Sequence, residues 1–253
     1  MSLSFRFSAA SELKKLFSQD CQLCGVRSTE CLCPDCERDL PYRPAGGCPC
    51  CAVEGPDGQV CGACLSDPPA FDRTAAVFRY AFPLDRLLQS YKFNQNLALT
   101  TFFTSALKQA VANSTPLPDT IIAIPLARTR LAERGFNQSA LLAEGLARAL
   151  GIEHAAHELL KVRDTPPQSG LDRAARLKNV RGAFDCAQPL TGRHVALVDD
   201  VMTTGATLSE AARVLKKAGA ASVSAWVLAR AGREWSALAD QTEGSDPDAT
   251  VPF

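Results

Sequence analysis

The chain has no net charge: 27 Lys and Arg offset 27 Asp and Glu over 253 residues. A balanced chain has no global pull toward nucleic acid or anionic membrane, so any such contact must rest on a local patch. No apolar run approaches the length of a membrane span, and the N-terminus lacks the uninterrupted apolar core and small-residue cleavage site of an export signal. A cytoplasmic location is expected. No internal repeat occurs apart from paired cysteines. An apolar content of 46% excludes a disordered protein and suffices for one sizeable α/β domain plus a small module.

Ten of the eleven cysteines fall between Cys21 and Cys64. Without an export signal, and ahead of an α/β pattern, metal binding explains this density better than disulfides. Cys21/Cys24, Cys33/Cys36, Cys48/Cys51 and Cys61/Cys64 are four CxxC pairs, each able to give two thiolates to a tetrahedral zinc. Eight ligands make two closed sites. Eight residues separate the first two pairs and nine the last two, which favours sequential pairing but leaves an interleaved cross-brace open. A single zinc with spare thiols and an oxygen-sensitive cluster are the other readings. Cys31 and Cys50 are left over, and either could replace a neighbouring ligand; Cys186 reads as a buried core thiol. Removing the metal is expected to unfold residues 20–66 and spare the rest.

Along the chain, residues 1–19 hold a short amphipathic helix, 20–66 a double zinc-knuckle module, 70–232 the main domain, and 233–253 an acidic tail expected to be disordered. Strands are expected at 73–80, 120–125, about 194–201 and 221–229, with helices at 84–93, 97–112, 137–150 and after Thr207. That alternation predicts an α/β fold, a doubly wound parallel sheet with ligands beyond the carboxyl ends of its strands.

Val195 to Thr207 read VALVDDVMTTGAT: a buried strand, two acids, and a Thr/Gly turn opening a helix. Asp199 and Asp200 are expected to leave the strand just before the turn, so that at least one carboxylate reaches vicinal sugar hydroxyls. Thr203, Thr204, Gly205, Ala206 and Thr207 offer backbone N–H groups to a phosphate at a helix N-terminus. The order suits ribose 5-phosphate. Neither a Walker Lys-Ser/Thr pair nor a GxGxxG fingerprint occurs around it. Two cationic segments complement the turn. PLARTRLAERGFNQ (125–138) reads as a loop carrying Arg128, Arg130 and Arg134, with Asn137 capping the next helix. Residues 161–181 form the one clearly basic stretch and read as a mobile lid.

The string resembles the signature of the type I phosphoribosyltransferases, which bind phosphoribosyl pyrophosphate (PRPP). The resemblance implies that Asp199 and Asp200 contact the ribose and that residues from Val201 and Met202 to Thr207 wrap the 5-phosphate. Together with YAFPLDRLLQSYKF, ERGFNQ, the Gln168 segment and RLKNVRGAF, it resembles the ComF family over residues 10–230. That family joins a cysteine module to a phosphoribosyltransferase domain, and its bacterial members are associated with natural competence. The likeness adds Lys92, Arg128, Arg134, Asn137, Gln138, Arg176 and Asn179 as ligand-facing candidates, with Lys92 and Arg176 joining the two acids as catalytic candidates. It implies a glycosyl transferase in which a base or amine, free ammonia included, displaces pyrophosphate with Mg²⁺ bridging the substrate oxygens. No N-terminal catalytic Cys for glutamine hydrolysis is present; the first Cys lies in a knuckle.

The alternative is a binding module, either a PRPP sensor or a single-stranded DNA factor acting with competence proteins. DNA contact would then use the 161–181 strip, since residues 1–66 hold six basic against eight acidic residues.

Overall fold

The computed structural model describes residues 18–55, 58–93, 96–112, 114, 116–164 and 178–232. Residues 1–17 of the expected N-terminal helix, Gln168 and Arg176 of the basic strip, and the acidic tail lie outside the described residues. Gln19, placed in that helix by the sequence reading, instead opens β1 (Gln19–Asp20), which pairs antiparallel with β2 (Arg27–Ser28). The short helices α1 (Pro34–Arg38) and α2 (Gly62–Ser66) complete the cysteine-rich segment.

From β3 (Arg73–Arg79) the chain runs through α3 (Leu84–Phe93) and α4 (Leu99–Val111) to β4 (Thr120–Ala123). It continues through α5 (Arg128–Arg134) and α6 (Gln138–Leu150) to β5 (Glu153–His154). A two-stranded antiparallel ribbon of β6 (Leu159–Lys161) and β7 (Phe184–Cys186) follows. Then come β8 (His194–Met202), α7 (Ala206–Lys217) and β9 (Ser222–Arg230). The expected loop at 125–138 thus contains a helix, α5, which Gly135 ends at φ 76°.

The main sheet has the order β3-β9-β8-β4-β5 and is parallel throughout. Its inner strands are covered on both faces, which is why Val195 to Val198 form an uninterrupted buried apolar run. From β4 to β5 the winding moves toward one edge, and from β8 to β9 toward the other. Right-handed crossovers therefore place α6 and α7 on opposite faces. One core joins α3, α4 and α6, with Tyr91, Phe103 and Trp226; the other lies under α7, with Phe71, Ile122 and Leu197. Gly145 of α6 allows the close approach of α4, since a Cβ there would sit 2.7 Å from Thr104 Oγ1. Between β8 and β4 the winding reverses, and the diverging connections open a crevice at their carboxyl ends.

The cysteine-rich segment straddles the β3 edge. Arg43 N donates to Val77 O (2.9 Å), Arg79 N to Pro41 O (2.8 Å) and Thr74 N to Pro49 O (3.1 Å). These bonds cover an edge that would otherwise template further pairing. Cys21, Cys31, Leu32, Cys33 and Leu40 belong to the same core cluster as Leu84 and Trp226.

Candidate functional site

The two acids lie where the winding reverses, but they do not leave the strand as expected: β8 continues through Met202, with Asp199 opposite Val227 of β9. Successive strand residues point to opposite faces, so the pair is split. Asp200 is buried on the α3/α6 side, its Oδ2 2.9 Å from Lys92 Nζ and accepting from Gln138 Nε2 at 3.0 Å. Asp199 is half-buried, accepts from Ser139 Oγ at 2.9 Å, and lines a cleft of about 30 Å³ with residues 201–208. Burial first, and the Asp200 carboxylate second, push the Asp199 carboxyl above the ordinary range. Burial also opposes the charge on Asp200, but the Lys92 ammonium and the bonds from Gln138 and Lys92 outweigh it and hold that carboxyl below its usual value. One acid is a firm anion; the other titrates late.

Lys92 is therefore engaged by Asp200. Its neighbour Tyr91 is buried, hydrogen-bonds to Thr100 Oγ1 (3.2 Å) and donates to Gln138 O (3.5 Å), fixing α3 against α6; burial pushes its hydroxyl up to about 12. Gln138 Oε1 is buried with no hydrogen-bond partner.

Beyond Met202 the chain turns through residues 203–205 into α7. Gly205 is the N-cap at φ 79°. A Cβ there would come no closer than 3.5 Å to the Phe71 ring, so the left-handed backbone, rather than space, selects glycine. Ala206 N donates to Thr204 Oγ1 at 3.3 Å. The first N–H groups of a helix lack intrahelical acceptors and carry the positive end of its dipole. The cleft thus joins an anion cradle to the Asp199 carboxylate.

Asn137 caps α6 as expected, accepting from Ser139 N and donating to Ile124 O, both at 3.0 Å. Its polar atoms, and Gln138 Nε2, are taken up by the protein. Arg134 stacks over the Phe93 ring at 4.8 Å, while Arg128 and Arg130 are exposed on α5. Lys161 of β6 lies over the Phe184 ring at 5.9 Å, and burial, with Arg130 nearby, lowers its pKa. Arg163 of the basic stretch is spent on backbone at the stretch's other end: its Nη2 donates to Asn179 O (2.8 Å) and Arg181 O (2.7 Å).

The cysteines pair sequentially. Cys21, Cys24, Cys33 and Cys36 form one group and Cys48, Cys51, Cys61 and Cys64 the other, with the sulfurs of each within 4.8 Å of one another. This rejects the interleaved arrangement, and Cys31 and Cys50 stand outside both tetrads. All eleven thiols are free. A tetrahedral zinc with Zn–S bonds of about 2.3 Å places its sulfurs about 3.8 Å apart. Cys24 and Cys33 Sγ are 3.7 Å apart, as are Cys51 and Cys61 Sγ, so the donor set fits that ion. Burial raises the thiols of Cys21 and Cys48, but backbone N–H groups outweigh it and bring each down to about 6. Cys186 is half-buried rather than core, with Sγ 3.1 Å from Gln188 O.

A profile described as "Phosphoribosyl transferase domain" matches residues 137–246. The chain is 37% identical over 205 residues to "DNA utilization protein YhgH" of Salmonella typhi, covering 79% of this chain and 90% of that protein. It is 35% identical over 208 residues to "Competence protein F" of Haemophilus influenzae, with 79% and 90% covered. The chain belongs to the ComF family. With "Competence protein ComFC" of Streptococcus pneumoniae it shares 29% identity over 202 residues, 79% of this chain and 88% of that one.

Three residues of this ComF-family chain escaped the sequence reading. Ser139 holds Asp199, and Glu210 accepts from Gly182 N at 2.7 Å while pairing with Arg213, which fixes the end of the basic stretch onto α7. Arg230 sends its guanidinium to carbonyls at the start of the 203–205 turn and of the second tetrad. Their only sequence signal is a polar residue at the end or inner face of an otherwise apolar element. Among the described residues, no helix is long and apolar enough to cross a membrane.

Proposed function

We propose that this protein binds PRPP in the β8–α7 cleft as a cytoplasmic phosphoribosyltransferase-like protein of DNA utilisation and competence, with a structural zinc in each tetrad. The observation that carries the proposal is the Asp199 carboxylate facing the same cleft as the Gly205 turn. The turn from Thr203 to Thr207 takes the 5-phosphate and Asp199 accepts from the ribose hydroxyls. Asp200 acts behind it, holding Lys92 and Gln138 and setting the charge of the pair. Arg128, Arg134 and the basic residues from 161 to 181 other than Arg163 take the pyrophosphate. Mg²⁺ carried with PRPP would neutralise the leaving group. The names of the relatives support the competence setting.

Titration with PRPP, followed by a screen of bases, amines and ammonia for pyrophosphate release, tests the proposal. A folded protein that takes up no PRPP refutes it. Affinity should rise with pH. The raised pKa of Asp199 leaves it protonated, and a poorer acceptor, until the pH passes that value; the same shift makes its ionisation cost fold stability as pH rises through it. Asp199→Asn should remove this part of the slope and leave the part due to the phosphates of PRPP.

Turnover is distinguished from sensing by Arg176→Ala and Lys178→Ala. If the basic stretch serves chemistry, both should reduce turnover far more than PRPP affinity, because their contacts strengthen as pyrophosphate departs. If it serves DNA, single-strand affinity falls and its salt dependence flattens by about 0.7 in slope per charge removed. Salt-sensitive loss of DNA binding, beside pyrophosphate release absent with every acceptor, leaves PRPP as a regulator.

A further inference from the structure

Among the described residues, Arg230 ties the turn to the second tetrad. Arg230 ends β9, opposite Met202 on one side and Arg79 on the other. Its Nε donates to Cys51 O at 2.7 Å, and its Nη1 to Met202 O at 3.2 Å, to Ala231 O at 2.6 Å and to Thr203 O. One side chain thus spans from the backbone between two pairs of sulfur ligands to the carbonyls where the turn begins. Around it, a cavity of about 230 Å³ separates Cys51, Cys61 and Cys64 from Thr203 and Thr204, walled largely by apolar groups that include Phe71. Across this gap the Arg230 guanidinium makes a direct polar connection between the two sides. The first tetrad packs on the opposite face of the sheet, in the core of α3 and α4, where Asn96 Nδ2 donates to Gln22 Oε1 at 2.7 Å.

We propose that Arg230 is a positioning residue that makes anion binding at the phosphate turn depend on metal at Cys48, Cys51, Cys61 and Cys64, and not on metal at the first tetrad. The inference rests on the reading that the turn binds the PRPP phosphate and that the tetrads hold metal. An ordered second tetrad fixes Cys51 O. Arg230 then holds Met202 and Thr203, so the N–H groups of the turn stand ready for the phosphate. Linkage is reciprocal: phosphate in the turn must change the affinity of the second tetrad for its metal by the same factor. Lysine cannot replace this fork, since a single ammonium cannot reach both sides along separate N–H directions.

The test uses the full chain with cobalt in both tetrads, PRPP as the probe and inorganic phosphate as a second one. Saturating PRPP should perturb the thiolate-to-cobalt absorption of one site of the two. In Arg230→Lys, with both metals retained by elemental analysis, PRPP affinity should fall about tenfold and the cobalt response should vanish. Wild-type protein that binds PRPP with an unaltered cobalt spectrum overturns the inference, whatever the fate of the variant. So does an Arg230→Lys protein of undiminished affinity, and in both cases the PRPP site stands. Wild-type protein that binds neither PRPP nor phosphate overturns the site itself, and failure to bind cobalt overturns the tetrads as metal centres.

Discussion

Asp199→Asn should weaken PRPP binding by about 10- to 150-fold in a protein that remains folded, whereas Asp200→Asn should chiefly cost stability. Loss of charge-assisted bonds to the sugar corresponds to about 1.5–3 kcal/mol, which sets that range. The Ser139 hydroxyl donates to Asp199, which borders the cleft, so the amide leaves no buried cation behind. Asp200 differs, because its carboxylate neutralises Lys92 at 2.9 Å. Removing one member of a buried pair costs about 3–5 kcal/mol. The lower end applies here, since the Lys92 side chain keeps 21% of its exposure. Calorimetry with PRPP and urea unfolding of both variants separate the two roles. An Asp200→Asn protein of unchanged stability that has lost PRPP affinity would reverse the assignment.

Removing metal should unfold more than the cysteine-rich segment. Two ions per chain are expected by elemental analysis, each with an apparent contribution of about 10–16 kcal/mol at neutral pH. That matches or exceeds the whole stability of an ordinary domain, about 5–15 kcal/mol. The sequence reading expected residues 20–66 to melt alone. The structure changes that expectation, because Cys21, Cys33 and Leu40 share a core with Leu84, Phe103 and Trp226. Cys33→Ser should therefore lower the unfolding midpoint of the α/β sheet as well, read from the near-ultraviolet signal of Trp226 in a Trp235→Phe background. A chelated protein with a native Trp226 signal and a melted cysteine segment would restore the earlier view.

The elements most legible in sequence were those whose signal is local. The helix at 84–93 was placed to the residue because its buried positions, Leu84, Leu87, Leu88 and Tyr91, recur at helical spacing. β8 stood out because a central parallel strand must be apolar on both faces. The α5 helix was missed because RTRLAER buries none of its residues and so carries no apolar stripe to betray it. Gln19 was misplaced for the opposite reason, since β1 is two residues long and pairs with β2 across the first knuckle.

The sequence by itself determined which chemistry is present: eight paired thiols, an acid pair, and a Thr/Gly turn opening a helix, each a short-range pattern fixed by spacing along the chain. Only the tertiary structure decided how that chemistry is divided. Which acid faces the cleft depends on strand alternation, together with Lys92 arriving from α3 and Gln138 from α6, 108 and 62 residues away in sequence. Which tetrad touches the turn depends on how the cysteine segment wraps the β3 edge and on the single guanidinium of Arg230. Those choices come from contacts between residues distant along the chain, and local spacing carries no record of them.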